Sequence, residues 1–264
     1  MQNLKIIFGT KCNLNCDYCY QKHENNEISQ EVLDKIIEKI NKNNESYNIH
    51  LFGGEPLLYL EKIFYLLDRI DIKKHNFSIS TNGTLINEFG KLEEKLGYPI
   101  QNLISNKSIG NYEKLNKNSQ FRFILTKSNL EELERKLDWF LEQYGNDFSI
   151  YCNFYEEWSQ DLLNRIEVIE RKIHLNYPRI RVLKPLITKG TPCNCRSIII
   201  NWNGDYLKCH RDPNKVIGNI FTDEFIVSKN TECIFKDDIQ NNFIRTMSNT
   251  EEMACCDYDA VFYC

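Results

Sequence analysis

Between Leu4 and Phe154 short apolar runs alternate with amphipathic segments, and few folds accommodate that pattern. The runs cover 4–8, 48–52, 77–81, 101–105, 121–126 and 148–154, each about strand length and rich in branched or aromatic residues. Between them, apolar residues recur at helical spacing: Val32, Leu33, Ile36, Ile37 and Ile40, then Leu60, Ile63, Phe64 and Leu67. Further helices are expected over 86–96, stopped by Gly97, and over 161–174; another runs to Tyr144 from a capping box at Ser128-Asn129-Leu130-Glu131. Strands joined through helices run parallel with right-handed crossovers. Six such units are too few to close an eight-stranded barrel. The expected fold is therefore α/β, a partial (β/α)6 TIM-like barrel, although a doubly wound sheet shares the alternation. In both, reactive groups gather where the strands end.

The motifs lie at those ends. After the first run, Thr10–Tyr20 carries Cys12, Cys16 and Cys19 at C-x3-C-x2-C spacing. Thiolates are soft ligands that select iron–sulfur clusters, zinc or copper. Three of them leave a fourth metal position for another ligand, as a reactive centre requires. The spacing alone also suits half of a zinc knuckle or a redox-sensing thiol group. Gly53-Gly54-Glu55-Pro56 follows the second run, and Ser80 and Asn82 close the third. Strand parity sorts the faces. Phe77 and Ile79, Phe121, Phe123 and Leu125, and Phe148, Ile150 and Cys152 should meet the helices, leaving Cys152 a buried, inert thiol. The opposite parity puts Ser80, Asn82, Arg122, Tyr151 and Asn153 in the lumen.

Charge and cysteine usage narrow the function classes. A formal net charge of −4 gives no support to a nucleic-acid partner. No apolar run reaches about 18 residues and no secretory signal opens the chain, so no membrane association and a cytoplasmic location are expected. Eleven cysteines, an odd number, fall as three before residue 20, one at 152 and seven after 192. Two separated metal regions fit that distribution better than a disulfide framework.

The cysteine loop and Gly53-Gly54-Glu55-Pro56 resemble, in full, the two main motifs of the radical S-adenosylmethionine enzymes. The resemblance implies that Cys12, Cys16 and Cys19 hold a [4Fe–4S] cluster whose fourth iron is chelated by S-adenosylmethionine. It implies that Tyr18 lies beside the adenine, that Gly53, Gly54, Glu55 and Pro56 form the cofactor's glycine-rich contact with Glu55 on the methionine ammonium, and that Ser80 and Asn82 meet the carboxylate and ribose. Arg122 would also reach the carboxylate. Members that modify peptides often carry Ser-x-Asp-Gly after the fourth strand. Here the region reads Ile104-Ser105-Asn106-Lys107-Ser108-Ile109-Gly110, without the aspartate, and Ser105 or Ser108 would take the serine's place.

From about Leu183 the alternation stops, and Pro185 and Gly190-Thr191-Pro192 mark a boundary. Two units are expected: residues 1–183 as the barrel and 184–264 as a small cysteine-rich extension. Asn203-Gly204 between two strand-like runs signals a two-residue hairpin. Cys193-x10-Gly204-x4-Cys209, then Ile217-Gly218-Asn219-Ile220, resembles the opening of the SPASM and twitch extensions, although the later C-x2-C-x5-C-x3-C pattern is absent. The resemblance implies one auxiliary [4Fe–4S] cluster with ligands drawn from Cys193 or Cys195, Cys209, Cys255 or Cys256, and Cys264.

The implied activity is reductive cleavage of S-adenosylmethionine to a 5′-deoxyadenosyl radical that abstracts a hydrogen atom from a peptide or protein, modifying it by crosslinking, epimerisation or oxidation. An external flavodoxin- or ferredoxin-type electron donor is implied. With the barrel beginning at residue 4, a separate leader-peptide-binding protein would serve such a substrate. A dehydrogenase or modifier of a small metabolite is the second enzyme reading, and a zinc-binding scaffold or redox sensor the alternative of another class. No catalytic acid or base is identified.

Overall fold

A computed structural model describes residues 1–106, 115–153, 156–177, 180–183, 197–210 and 212–222. Among them, strands β1 (Gln2–Ile7), β2 (Tyr47–Phe52), β3 (Asn76–Thr81), β4 (Gln101–Asn106), β5 (Ser119–Leu125), β6 (Phe148–Cys152) and β7 (Arg181–Leu183) lie side by side in chain order, all parallel. Helices α1 (Gln30–Lys42), α2 (Leu60–Leu67), α3 (Ile86–Leu96), α4 (Leu130–Tyr144) and α5 (Gln160–Asn176) form five of the six crossovers, all but the one between β4 and β5. Sequential order with one crossover per step makes an open, partial TIM-like barrel and not a doubly wound sheet, whose order would reverse at a switch point.

The helices form where the spacing put them. Ser29 caps α1, accepting the Val32 N–H at 3.2 Å, and Glu31 and Lys39/Lys42 complement its dipole. Its stripe Val32, Leu33, Ile36, Ile37 and Ile40 is buried against β1–β3, each side chain worth roughly 1.5–3 kcal/mol of apolar transfer. Helix α4 starts differently from expectation. Asn129, not Ser128, is its N-cap, and no side chain caps the helix. The Asn129 amide turns back to the strand end, accepting the Thr126 N–H at 2.8 Å and donating to the Ile124 carbonyl at 3.0 Å, while Ser128 bonds the Thr126 hydroxyl. The local hydroxyl and amide groups close the β5–α4 turn in place of capping the helix.

The sheet does not stop with the sixth unit. Besides β7, strand β8 (Ile198–Ile200) pairs parallel to β1, and β9 (Asp205–Cys209) and β10 (Asp212–Asn219) continue antiparallel from it, giving ten strands in one sheet among the described residues. The hairpin foreseen at Asn203-Gly204 exists, but its loop has three residues. Asn201 N–H reaches the Asp205 carbonyl at 2.8 Å, enclosing Trp202, Asn203 and Gly204, with Gly204 at φ +89°. The extra residue makes the closing glycine adopt a left-handed conformation that other residues resist. Tyr206 of β9 is fully buried in the main core and receives the Lys39 ammonium at 2.7 Å, so the hairpin is packed onto α1 as well as onto β1.

The lumen is polar, as strand parity required. Asn3, Asn48 and Asn76 form a hydrogen-bonded ladder across β1–β3, with Lys5, His50 and Ser78 in the next layer. No helix among the described residues is long and apolar enough to cross a membrane.

Candidate active site

The chain leaves β1 into a loop whose two ends are zipped together. Ile28 N–H bonds the Phe8 carbonyl at 2.8 Å, Thr10 N–H bonds the Asn26 carbonyl at 3.1 Å, and Gly9 bridges to Glu27. Tyr59, at the end of the 3-10 turn Pro56–Tyr59, locks this closure. Its hydroxyl donates to the Asn26 carbonyl at 3.0 Å and accepts the Lys11 N–H at 2.7 Å. Gly9 is obligatory, since a Cβ there would lie 2.2 Å from the Asn26 carbonyl oxygen and 2.4 Å from the Tyr59 hydroxyl. Neither Gly9 nor Tyr59 was singled out from the sequence. Their need arises from contacts across the loop that spacing does not encode.

Gly53 and Gly54 border the same loop from the β2 side. Gly54 N–H bonds the Gly9 carbonyl and Glu55 N–H the Lys11 carbonyl, each at 3.0 Å. A Cβ on Gly54 would sit 2.3 Å from the Lys11 oxygen and 2.6 Å from that of Thr10; one on Gly53 would sit 2.8 Å from the Gly9 oxygen. These glycines therefore allow backbone to approach backbone, holding the cysteine loop against the end of β2.

The loop presents Cys12, Cys16 and Cys19, all half-buried, to one open cavity of about 190 Å³ at the C-terminal strand ends. Tyr18, Gly53, Gly54, Ser80, Asn82, Ser105, Arg122, Tyr151 and Asn153 line it with them. Cys152 is buried among the α4–α5 core residues, as its parity required, and also borders the cavity. Burial pushes the Cys12 and Cys19 thiols up, opposed at Cys12 by the Leu14 N–H at 3.4 Å and the Asn82 amide at 3.7 Å. In the metal-free chain both stay protonated at neutral pH, and a metal would ionise them.

Glu55 and Pro56 lie elsewhere. Pro56 is buried at the start of its 3-10 turn. The Glu55 carboxylate is fully buried behind the cavity wall and accepts the Asn82 N–H at 2.8 Å, the Leu57 N–H at 3.1 Å and the Thr81 hydroxyl at 2.9 Å. Burial raises its pKa to about 7, against those three donors. Here it ties β2 to β3, and its partners Thr81 and Asn82 in turn shape the wall.

The opposite wall is built by Arg122, whose guanidinium stacks 4.0 Å from the Tyr151 ring centroid and donates to the Tyr151 hydroxyl at 3.2 Å. Below, His50 joins Ser78 at 2.7 Å to Ser80 at 2.9 Å, orienting the hydroxyl that faces the cavity. Ser78, placed on the lumen face by its parity, is fully buried in this layer. His23, Tyr20, Phe52 and His210 also line the cavity. Parity would have found His50, which shares a strand face with Asn48 and Phe52. His210 required the sheet extension, which inserts it beside Phe52, with ring centroids 5.2 Å apart. Cys209 next to it is fully buried at the end of β9. Cys193, Cys195, Cys255, Cys256 and Cys264, and Ser108, lie outside the described residues.

Among the described residues no three or more His, Cys, Asp or Glu side chains converge as ligands of a single ion. Three thiols on one loop, facing open volume, are a donor set suited to a sulfur-rich polynuclear cluster with one edge left for a second ligand.

Residues 6–105 match the model of the Radical SAM superfamily. The chain is 38% identical over 105 residues to the radical SAM cyclopropyl synthase TigE of Paramaledivibacter caminithermalis, covering 31% of this chain and 22% of that protein. It is 28% identical over 138 residues to a probable GTP 3′,8-cyclase of Methanothermobacter thermautotrophicus, covering 51% of this chain and 42% of that one. The chain thus spans less than half the length of either relative. Among solved structures, anSMEcpe with bound AdoMet superposes with a TM-score of 0.64 at 18% identity, over 85% of this chain and 79% of that one. SuiB of Streptococcus suis bound to its precursor peptide SuiA superposes at 0.53 with 17% identity, over 80% and 60%. At such identities the shared property is the fold.

Proposed function

We propose that this chain, whose residues 6–105 match the model of the Radical SAM superfamily, cleaves S-adenosylmethionine reductively and modifies a peptide or protein by hydrogen-atom abstraction. One observation carries the reading. The three cysteines, the glycine pair, Ser80, Asn82, Ser105 and Arg122 come from five successive strands or the loops that follow them and line one cavity.

When bound, the [4Fe–4S] cluster and S-adenosylmethionine supply the electron and the 5′-deoxyadenosyl radical that removes a substrate hydrogen atom. Cys12, Cys16 and Cys19 hold the cluster, and the Gly9–Tyr59–Gly54 clamp keeps their loop in place. Ser80, with its hydroxyl set by His50, and Arg122, stacked on Tyr151, are placed to receive a carboxylate. Asn82 and Ser105 offer hydrogen bonds to a ribose, and the Tyr18 ring offers a face or edge to an adenine. Glu55 acts one layer back, through Asn82 and Thr81. The rings of Tyr20, Phe52 and Tyr151 line the cavity and limit water at the reacting atoms.

The peptide substrate is supported by proteins of this fold solved with peptides bound, among them anSMEcpe with the Kp18Cys peptide. In this reading residues 1–183 are the catalytic unit, and 184–264 hold one auxiliary cluster with Cys209 among its ligands. A flavodoxin or ferredoxin supplies electrons. The relatives named as GTP 3′,8-cyclases favour a second reading, a small-molecule substrate.

The test is anaerobic reconstitution with iron and sulfide, followed by reduction with S-adenosylmethionine present. Cluster absorption and release of 5′-deoxyadenosine support the proposal. Tight zinc binding without cofactor cleavage supports a scaffold instead, and cleavage stimulated by a nucleotide but by no peptide supports the second reading.

A further inference from the structure

We propose that His23 donates a hydrogen bond to the Cys19 sulfur and thereby raises the reduction potential of the cluster, an inference that rests on the cluster reading above. His23 Nε2 lies 3.3 Å from Cys19 Sγ, and both residues line the cavity and are half-buried. The contact is built into the loop. Glu24 N–H bonds the Lys22 carbonyl at 3.0 Å, closing a tight turn around His23, and the Glu24 carbonyl accepts the Thr10 hydroxyl at 2.9 Å, which holds that turn to the start of the loop.

Chemistry gives the contact its direction. A thiol can donate to or accept from an imidazole nitrogen, but a metal-bound thiolate has no proton. Once Cys19 is a ligand, Nε2 must carry the hydrogen. A donor on a ligating sulfur withdraws electron density from the cluster and favours its reduced, more negative state. Cys12 has a comparable side-chain donor in Asn82, at 3.7 Å, so two loop sulfurs are tuned by side chains from different parts of the chain. His23 touches neither substrate nor cofactor in this role, and is a positioning and tuning residue.

The experiment uses the anaerobically reconstituted full chain without S-adenosylmethionine, as wild type, His23→Phe and His23→Gln. Iron content is matched first, then the midpoint potential is read by EPR-monitored titration. His23→Phe is expected to titrate at a more negative potential, and His23→Gln, which keeps an N–H, to return toward wild type. Unchanged potential in His23→Phe at full iron content, or equal shifts in both variants, overturns the proposal. Should His23→Phe hold no cluster, pulsed EPR of wild type grown with 15N-histidine decides. A weak coupling through the N–H···S contact supports the donor role; a strong coupling from an iron–nitrogen bond, or none, overturns it. Failure of wild type to assemble any cluster sinks the cluster reading itself, a result distinct from an unmoved potential.

Discussion

The Glu55 carboxylate accepts the backbone N–H of Asn82 at 2.8 Å, across the ends of two adjacent parallel strands. The bond joins the glycine-rich turn to the residue whose side chain reaches Cys12, so the β2 end, the β3 end and the cysteine loop are tied together along one side of the cavity.

Glu55 gives a pH signature. Its pKa rises from 4.5 to about 7 on folding because burial outweighs three donated hydrogen bonds. The unfolded chain therefore loses this proton first. Between about pH 4.5 and 7 the folded state holds one more proton than the unfolded state, and stability falls as pH rises, by on the order of 3 kcal/mol across the window. Urea unfolding of the cluster-free chain should show this slope relative to Glu55→Gln, in which it should vanish.

Gly54→Ala places a methyl group 2.3 Å from the Lys11 carbonyl oxygen, against backbone that cannot rotate away. It should cost about 1–3 kcal/mol or more and displace the cysteine loop, lowering iron bound per chain. Gly90→Ala in α3 meets nothing within 4 Å and should gain about 0.5–1 kcal/mol, with iron unchanged. Thermal unfolding and iron analysis of the pair separate a loop effect from a general glycine effect.

Tyr59→Phe removes one hydroxyl that serves both Asn26 and Lys11. With both backbone groups left in a partly buried position, the expected loss is about 1–3 kcal/mol. The reconstituted variant should also surrender iron to a chelator faster than wild type, measured by the decay of cluster absorption.

Arg122→Lys keeps the charge but loses the planar stack on Tyr151 and the forked donor geometry. S-adenosylmethionine should bind about tenfold more weakly, equivalent to ~1.4 kcal/mol, with little change in melting temperature. Equilibrium binding to the reconstituted protein measures it. Unchanged affinity would remove Arg122 from the cofactor's contacts.

The residues themselves determined the parallel α/β layout, the lumen parity that brings Ser80, Asn82, Arg122, Tyr151 and Asn153 to one cavity, and the C-x3-C-x2-C loop at its mouth. These follow from backbone periodicity and donor chemistry, which act over a few neighbouring positions. The tertiary structure alone decided that Glu55 turns into the protein and not into the cavity, that the glycine pair packs on the backbone of Gly9, Thr10 and Lys11, that β8 joins β1, and that His210 and His23 border the site. Each of those depends on which distant group occupies the adjoining space: where a carbonyl, a strand edge or a sulfur lands is set by packing the whole sheet, and no local spacing carries that information.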